Sequence, residues 1–161
     1  MAEPPFICGY IPLKAVELMT GVHDPLVRGD FDLTLAGGLG SGDCAVYQRD
    51  GSRLKVLAIG LLLNGSREKV EEAVQSGASP LPEIMPQGIG AYRKDSDSKT
   101  NAAYALLVRG KASLGIDLDI GVKGRDNAAD VVALMKLIAP KLITDASAPS
   151  PSPSPSTRKP G

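Results

Sequence analysis

Between residues 113 and 122 the side chains alternate without interruption. Leu114, Ile116, Leu118, Ile120 and Val122 fall on one side, and Ser113, Gly115, Asp117, Asp119 and Gly121 on the other. Successive residues of a strand point to opposite faces of its sheet, so ten residues of strict period two require one buried face and one wetted face. Antiparallel sheets supply that environment, whereas the helix-covered strands of parallel sheets are apolar on both sides.

The other strand signals fit the same sheet. Phe31, Leu33 and Leu35 alternate with Asp30, Asp32 and Thr34, and a second strand spans 44–49. Asp50-Gly51 is a hairpin dipeptide leading into a strand over 53–63. Residues 56–63 are apolar on both faces apart from Gly60, which places that strand centrally. Residues 88–94 form another strand. The next carries Ala102, Tyr104, Leu106 and Val108 as its inner face and turns at Gly110-Lys111.

Three segments have helical period. Over 11–21, Pro12 suits a first helical position, Leu13, Val16 and Met19 recur at helical spacing, and Gly21 fits the left-handed residue after the end. Ser66 caps a second helix, with Glu68 in its first turn, Val70, Ala73 and Val74 on its buried face and Gly77 closing it. Asp126 caps the third, whose stripe is Val131, Leu134, Met135, Ile138 and Leu142, with Pro140 ending or kinking it. Residues 23–28 read as a turn, 37–42 as a flexible glycine-rich loop, 78–87 as a loop with three prolines, and 95–99 as a charged turn.

The expected fold is α+β: a mainly antiparallel sheet of five to six strands with three helices packed on one face, in the order α-β-β-β-α-β-β-β-α. Residues 1–144 form this single domain. Residues 145–161, almost wholly Ser, Pro and Ala, form a disordered Pro/Ser-rich tail whose composition suits a solvated spacer better than an SH3 ligand.

Charge narrows the functional classes. Basic and acidic residues number 18 each. No cationic cluster is present to neutralise phosphates or an anionic membrane surface, so no nucleic-acid partner is expected. The longest apolar run, 56–63, is far too short for a transmembrane segment. The opening Met1-Ala2-Glu3-Pro4-Pro5 has no basic and then apolar run, so no signal peptide is expected within this chain.

A disulfide between Cys8 and Cys44 would stabilise the fold by about 3–4 kcal/mol in the chain-entropy picture and would tie the N-terminus to the sheet. The alternative is a pair of buried free thiols in a cytoplasmic protein. With His23 the only histidine, the cysteines are too few for a zinc site, and a CxxC redox pair is absent. The residues before Cys8 do not suit lipidation of its sulfur. His23 would have to serve any Ser-His-Asp or Cys-His arrangement, but no Gly-x-Ser-x-Gly elbow exists, and a turn histidine is ordinarily a surface residue. The glycines of 37–42 lead into a strand and lack Gly-Lys-Ser/Thr, unlike a phosphate-binding loop. Asp117 and Asp119, roughly 7 Å apart on one strand face, could act as paired carboxylates with Arg109 or Lys123 beside them, although alternation alone explains them as solvated. Asp95, Asp97 and Lys99 lack the glycine and glutamate of an EF-hand loop. Arg28-Gly29-Asp30 is a chance integrin tripeptide, and Asn64-Gly65-Ser66 ends a strand rather than marking a glycan. No metal and no cofactor is expected.

The segment Cys8-Gly9-Tyr10-Ile11-Pro12-Leu13-Lys14-Ala15-Val16-Glu17-Leu18-Met19-Thr20-Gly21 resembles the opening of short secreted actinobacterial lipoproteins of unknown function. Gly42-Asp43-Cys44-Ala45-Val46-Tyr47 is similar to the strand that carries their second cysteine. That family is similar to the extracellular sensor domain of mycobacterial receptor serine/threonine kinases. The resemblance implies a disulfide-bonded domain outside the cytoplasm with no known enzymatic activity, and it carries over no site residues. This chain departs from the family in lacking a lipidation box and in placing its Pro-Ser stretch after the domain. The expected function is therefore non-enzymatic binding of an unknown protein or small-molecule ligand at the cell envelope. The alternatives are a small enzyme using Asp117 and Asp119, or a cytoplasmic accessory or immunity-type protein.

Overall fold

The computed structural model describes residues 5–95 and 99–148. A two-residue hairpin of β1 (Phe6–Ile7) and β2 (Ile11–Pro12) leads into α1 (Leu13–Thr20). Then follow β3 (Leu26–Arg28), β4 (Phe31–Asp32), β5 (Ser41–Tyr47), β6 (Lys55–Leu62), α2 (Arg67–Gln75), β7 (Ser79–Pro80), β8 (Ile89–Lys94), β9 (Ala103–Arg109), β10 (Ala112–Leu118) and α3 (Asn127–Leu142). The main sheet is antiparallel and runs β3-β5-β6-β10-β9-β8-β7, with β4 also on β5.

The fold is α+β with three helices and a large antiparallel sheet. The sheet has eight strands rather than five to six. The added strands are short edge pieces. Leu26–Arg28 pairs with β5 where a turn was expected, and Ser79–Pro80 pairs with β8 inside the proline loop. Too short to show alternation, they are held by the strand beside them.

The helices do not share one face. Val16 and Met19 of α1 and Val131, Leu134, Met135 and Ile138 of α3 join the main core with Leu57, Ile59, Leu61, Leu114, Ile116 and Leu118. Val70 of α2 instead packs with Ala78, Ala91 and Val108, and with Tyr104 and Leu106 at the margin. The inner face of β9 is therefore Ala103, Ala105 and Leu107, while Tyr104, Leu106 and Val108 look toward α2. Two alanines let α3 lie close to the sheet, and the larger residues fill the space under a short, single helix.

The alternating segment is shorter than its pattern. β10 stops at Leu118, and the amides of Asp119 and Ile120 both donate to the Val56 carbonyl. Val122 N then donates to Met19 O at the end of α1. Asn101 Nδ2 holds this departure by donating to Val122 O at 2.7 Å and to Oδ1 of the fully buried Asn127.

Pro12 is the N-cap of α1 rather than its first turn, and Pro140 lies inside α3, which runs on to Leu142. Residues 31–35 are a strand only over Phe31–Asp32. Asp32 Oδ1 then accepts from the Thr34 amide and hydroxyl, which bends the chain into a 3-10 turn at Ala36–Gly38.

Residues 145–148 are not part of a free tail. Asp145–Ser147 is a 3-10 turn docked on the domain, with Ser147 buried and Thr144 Oγ1 donating to Gly38 O. The buried Arg109 donates to Pro86 O at 3.0 Å and Thr144 O at 3.4 Å, joining that turn to the proline loop. The tail beyond residue 148 lies outside the described residues, as does Asp97 of the charged turn.

Candidate binding cleft

The two sulfurs meet. Cys8 and Cys44 are 36 positions apart and form a disulfide with Cα atoms 6.0 Å apart. Cys44 is fully buried on β5 beneath the main core, so the bond anchors the β1–β2 hairpin to the sheet.

The carboxylate pair does not form a site of the expected kind. Asp117 faces outward from β10 with Ala58 and Tyr104 as its cross-strand neighbours, and Asp119 lies past the strand end. Burial against the strand surface raises the Asp117 pKa above the ordinary carboxylate range. The Asp119 charge adds to this rise, and Lys55 opposes it. Arg109 points to the other face of the sheet, and Lys123 is an exposed loop residue. Neither aspartate lines any of the five principal clefts.

His23 is an exposed turn residue, its Nδ1 3.8 Å from Glu17 Oε2, in a polar recess it shares with Arg49 and Asp50. The 37–42 segment is not a free hairpin loop. A Cβ on Gly40 would lie 2.9 Å from the Leu33 side chain, and Gly38 O accepts from Thr144. Arg28-Gly29-Asp30 lies against β5, where a Cβ on Gly29 would sit 2.3 Å from Asp43 O. Gly65 N donates to Lys111 O, and Ser66 Oγ accepts from Glu68 N, so the sequon residues end a strand and start a helix. Among the described residues, no group of three or more His, Cys, Asp or Glu is placed to hold a metal. No described helix is long and apolar enough to cross a membrane.

The principal concavity is elsewhere. A cleft of about 540 Å³ opens between α2 and the sheet edge. The Ser66 cap sets the start of α2, and Arg93 Nη1 donates to Ser76 O at 2.8 Å at its end, so both ends of this short helix are held. With its ends held, α2 presents Val70, Glu71, Val74 and Gln75 to the cleft. Across from them stand Pro80, Leu81 and Glu83 of the proline loop and Gly88, Ile89 and Gly90 at the start of β8. Gly90 is required there: a Cβ would fall 2.3 Å from both Leu81 Cδ1 and Leu106 O, so only glycine lets Leu81 close over the edge.

The wall is mainly aliphatic, and Val74 is 36% exposed. Both charged lining residues, Glu71 and Glu83, are acidic and exposed. An apolar concavity of a few hundred Å³ with a small number of polar groups has the usual form of a small-molecule site. The sequence pattern marks Val70 and Val74 as the buried face of the helix and Pro80 as a loop residue, but marks none of these residues as a binding site. The nearest signal is Val74, whose apolar side chain extends the buried stripe of α2 beyond what a single sheet edge can cover.

Comparison of the chain with family models, with curated proteins and with solved structures finds no match to any of them.

Proposed function

We propose that this chain is a non-enzymatic binding domain that works outside the cytoplasm, at the cell envelope, and holds its ligand in the cleft between α2 and the sheet edge. The observation that carries the binding role is the cleft of about 540 Å³ whose aliphatic wall of Leu81 and Ile89 is completed by the exposed Val74. The compartment is supported by the Cys8–Cys44 disulfide, because such bonds persist in oxidising surroundings and are rare in the cytosol. It also agrees with the resemblance of residues 8–21 and 42–47 to secreted lipoproteins.

The binding role is tested with an uncharged apolar fluorescent dye such as N-phenyl-1-naphthylamine. One dye per chain is expected, and Val74→Asp, a change on the exposed side of α2, should weaken it by about tenfold or more, as expected when a charge enters an apolar contact. Unchanged dye binding by this variant overturns the site. Alkylation of native protein under denaturing, non-reducing conditions tests the compartment, and two modified thiols would overturn it.

A further inference from the structure

We propose that the cleft takes an amphiphile with an aliphatic body and a cationic head group; this rests on the cleft being the binding site. The body would lie along Val70, Val74, Leu81 and Ile89, and the head group would sit between the carboxylates of Glu71 and Glu83. These two acids come from the two elements that bound the cleft, α2 and the proline loop, and among the described residues no basic side chain lines it. Both carboxylates are solvated and repel an anionic head, whereas a cationic head is attracted by both and a neutral one by neither.

The edge beside the cleft argues against an extended peptide as the occupant. Strand addition needs free main-chain donors. The edge strand β7 is only Ser79–Pro80, Pro80 has no N–H, and Leu81 N already donates to Gly90 O at 2.9 Å. A ligand held by its apolar body and one charged end needs no such ladder.

The test is calorimetric titration of the full, oxidised chain with three ten-carbon probes, each below its micelle concentration: decyltrimethylammonium, decanoate and decyl maltoside. The ammonium probe is expected to bind one per chain and about tenfold more tightly than the other two. That preference should shrink in 0.5 M salt, because exposed charges are screened. Glu71→Gln and Glu83→Gln should each lower it severalfold, while Asp117→Asn, an acid outside the cleft, should not. Equal affinity for the three probes, or a preference for decanoate, overturns the cationic head group and leaves the cleft as the binding site. Absence of binding by all three overturns both. Tighter ammonium binding by the Arg158→Ser/Lys159→Ser variant would assign the cleft to this chain's own basic C-terminal residues. A dimer that the ammonium probe dissociates would assign it to a second copy. Either result overturns the proposal.

Discussion

Asp117 is the penultimate residue of β10 and points outward from the sheet. Its neighbours across the strands are Ala58 and Tyr104, and the next outward position on β10 is Gly115, paired with Gly60. A carboxylate there loses part of its hydration against the strands and feels the like charge of Asp119, so its pKa in the folded chain is raised. When the folded form holds its proton more tightly than the unfolded form, ionisation favours unfolding. Stability then falls as pH rises from the unfolded pKa through the folded one, and it is recovered on acidification. Asp117→Asn should therefore stabilise the protein at pH 7. The gain should be about 0.5 kcal/mol or less, as befits an exposed position, and should vanish once both forms are protonated near pH 3. Urea midpoints of the two proteins at the two pH values check this, and a gain that persists at low pH would show that charge is not its cause. The outward position of Asp117 was legible from alternation alone. The role of Asn101 was not, because its Nδ2 donates to the Asn127 side chain and to the Val122 and Arg125 carbonyls, all more than twenty residues away in sequence. Nor was Gly90, whose need for a bare Cα arises only when Leu81 folds over it.

Among the elements, the β1–β2 hairpin depends most on a covalent link. It is two residues wide on each side; Ile11 is buried, Ile7 and Tyr10 pack against the main core, Tyr10 meets Phe31 edge-on, Lys141 lies over the Phe6 ring, and the disulfide to β5 adds the covalent tie. Reduction frees a loop of 36 residues in the unfolded chain. In the chain-entropy picture it should cost about 3–4 kcal/mol, and the Cys8→Ala/Cys44→Ala variant should lose a similar amount. Denaturant unfolding with and without reductant measures the loss, and coincident curves would mean that the hairpin is held by packing alone. Helices and caps were the elements best legible in the sequence, because the capping side chains of Ser66 and Asp126 act within their own first turn. Strand ends were legible less often. β10 stops short of Ile120 because the Val56 carbonyl and the end of α1 capture the next amides, and the edge strands β3 and β7 exist only by pairing. The side of the sheet that α2 occupies was likewise hidden. Every residue of β9 from Ala103 to Arg109 is at least half-buried, so alternation there carries no contrast between the two faces.

At the scale of the molecule, two clusters of unequal size lie on opposite faces of one sheet. The larger unites α1, α3 and the middle strands, whereas among the described residues the smaller has Val70, Ala78, Ala91 and Val108 as its buried members. Local opening free energy follows the apolar contact that an element must give up, so α2 and the proline loop should open well before the sheet centre. That ordering suits a binding role, since the weakly held element is the one that walls the cleft, and a ligand seated there would stabilise it by mass action. Native-state hydrogen exchange should accordingly show the amides of α2 exchanging faster than those of β6 and β10. Val70→Ala removes the one fully packed side chain of α2 and should cost about 1–2 kcal/mol locally. It should speed exchange in α2 by about five- to thirtyfold, because 1.4 kcal/mol is one decade in an opening equilibrium, while β6 and β10 keep their rates. Equal acceleration across α2, β6 and β10 would mean that the two clusters open as one unit, and α2 could not then move independently to admit a ligand.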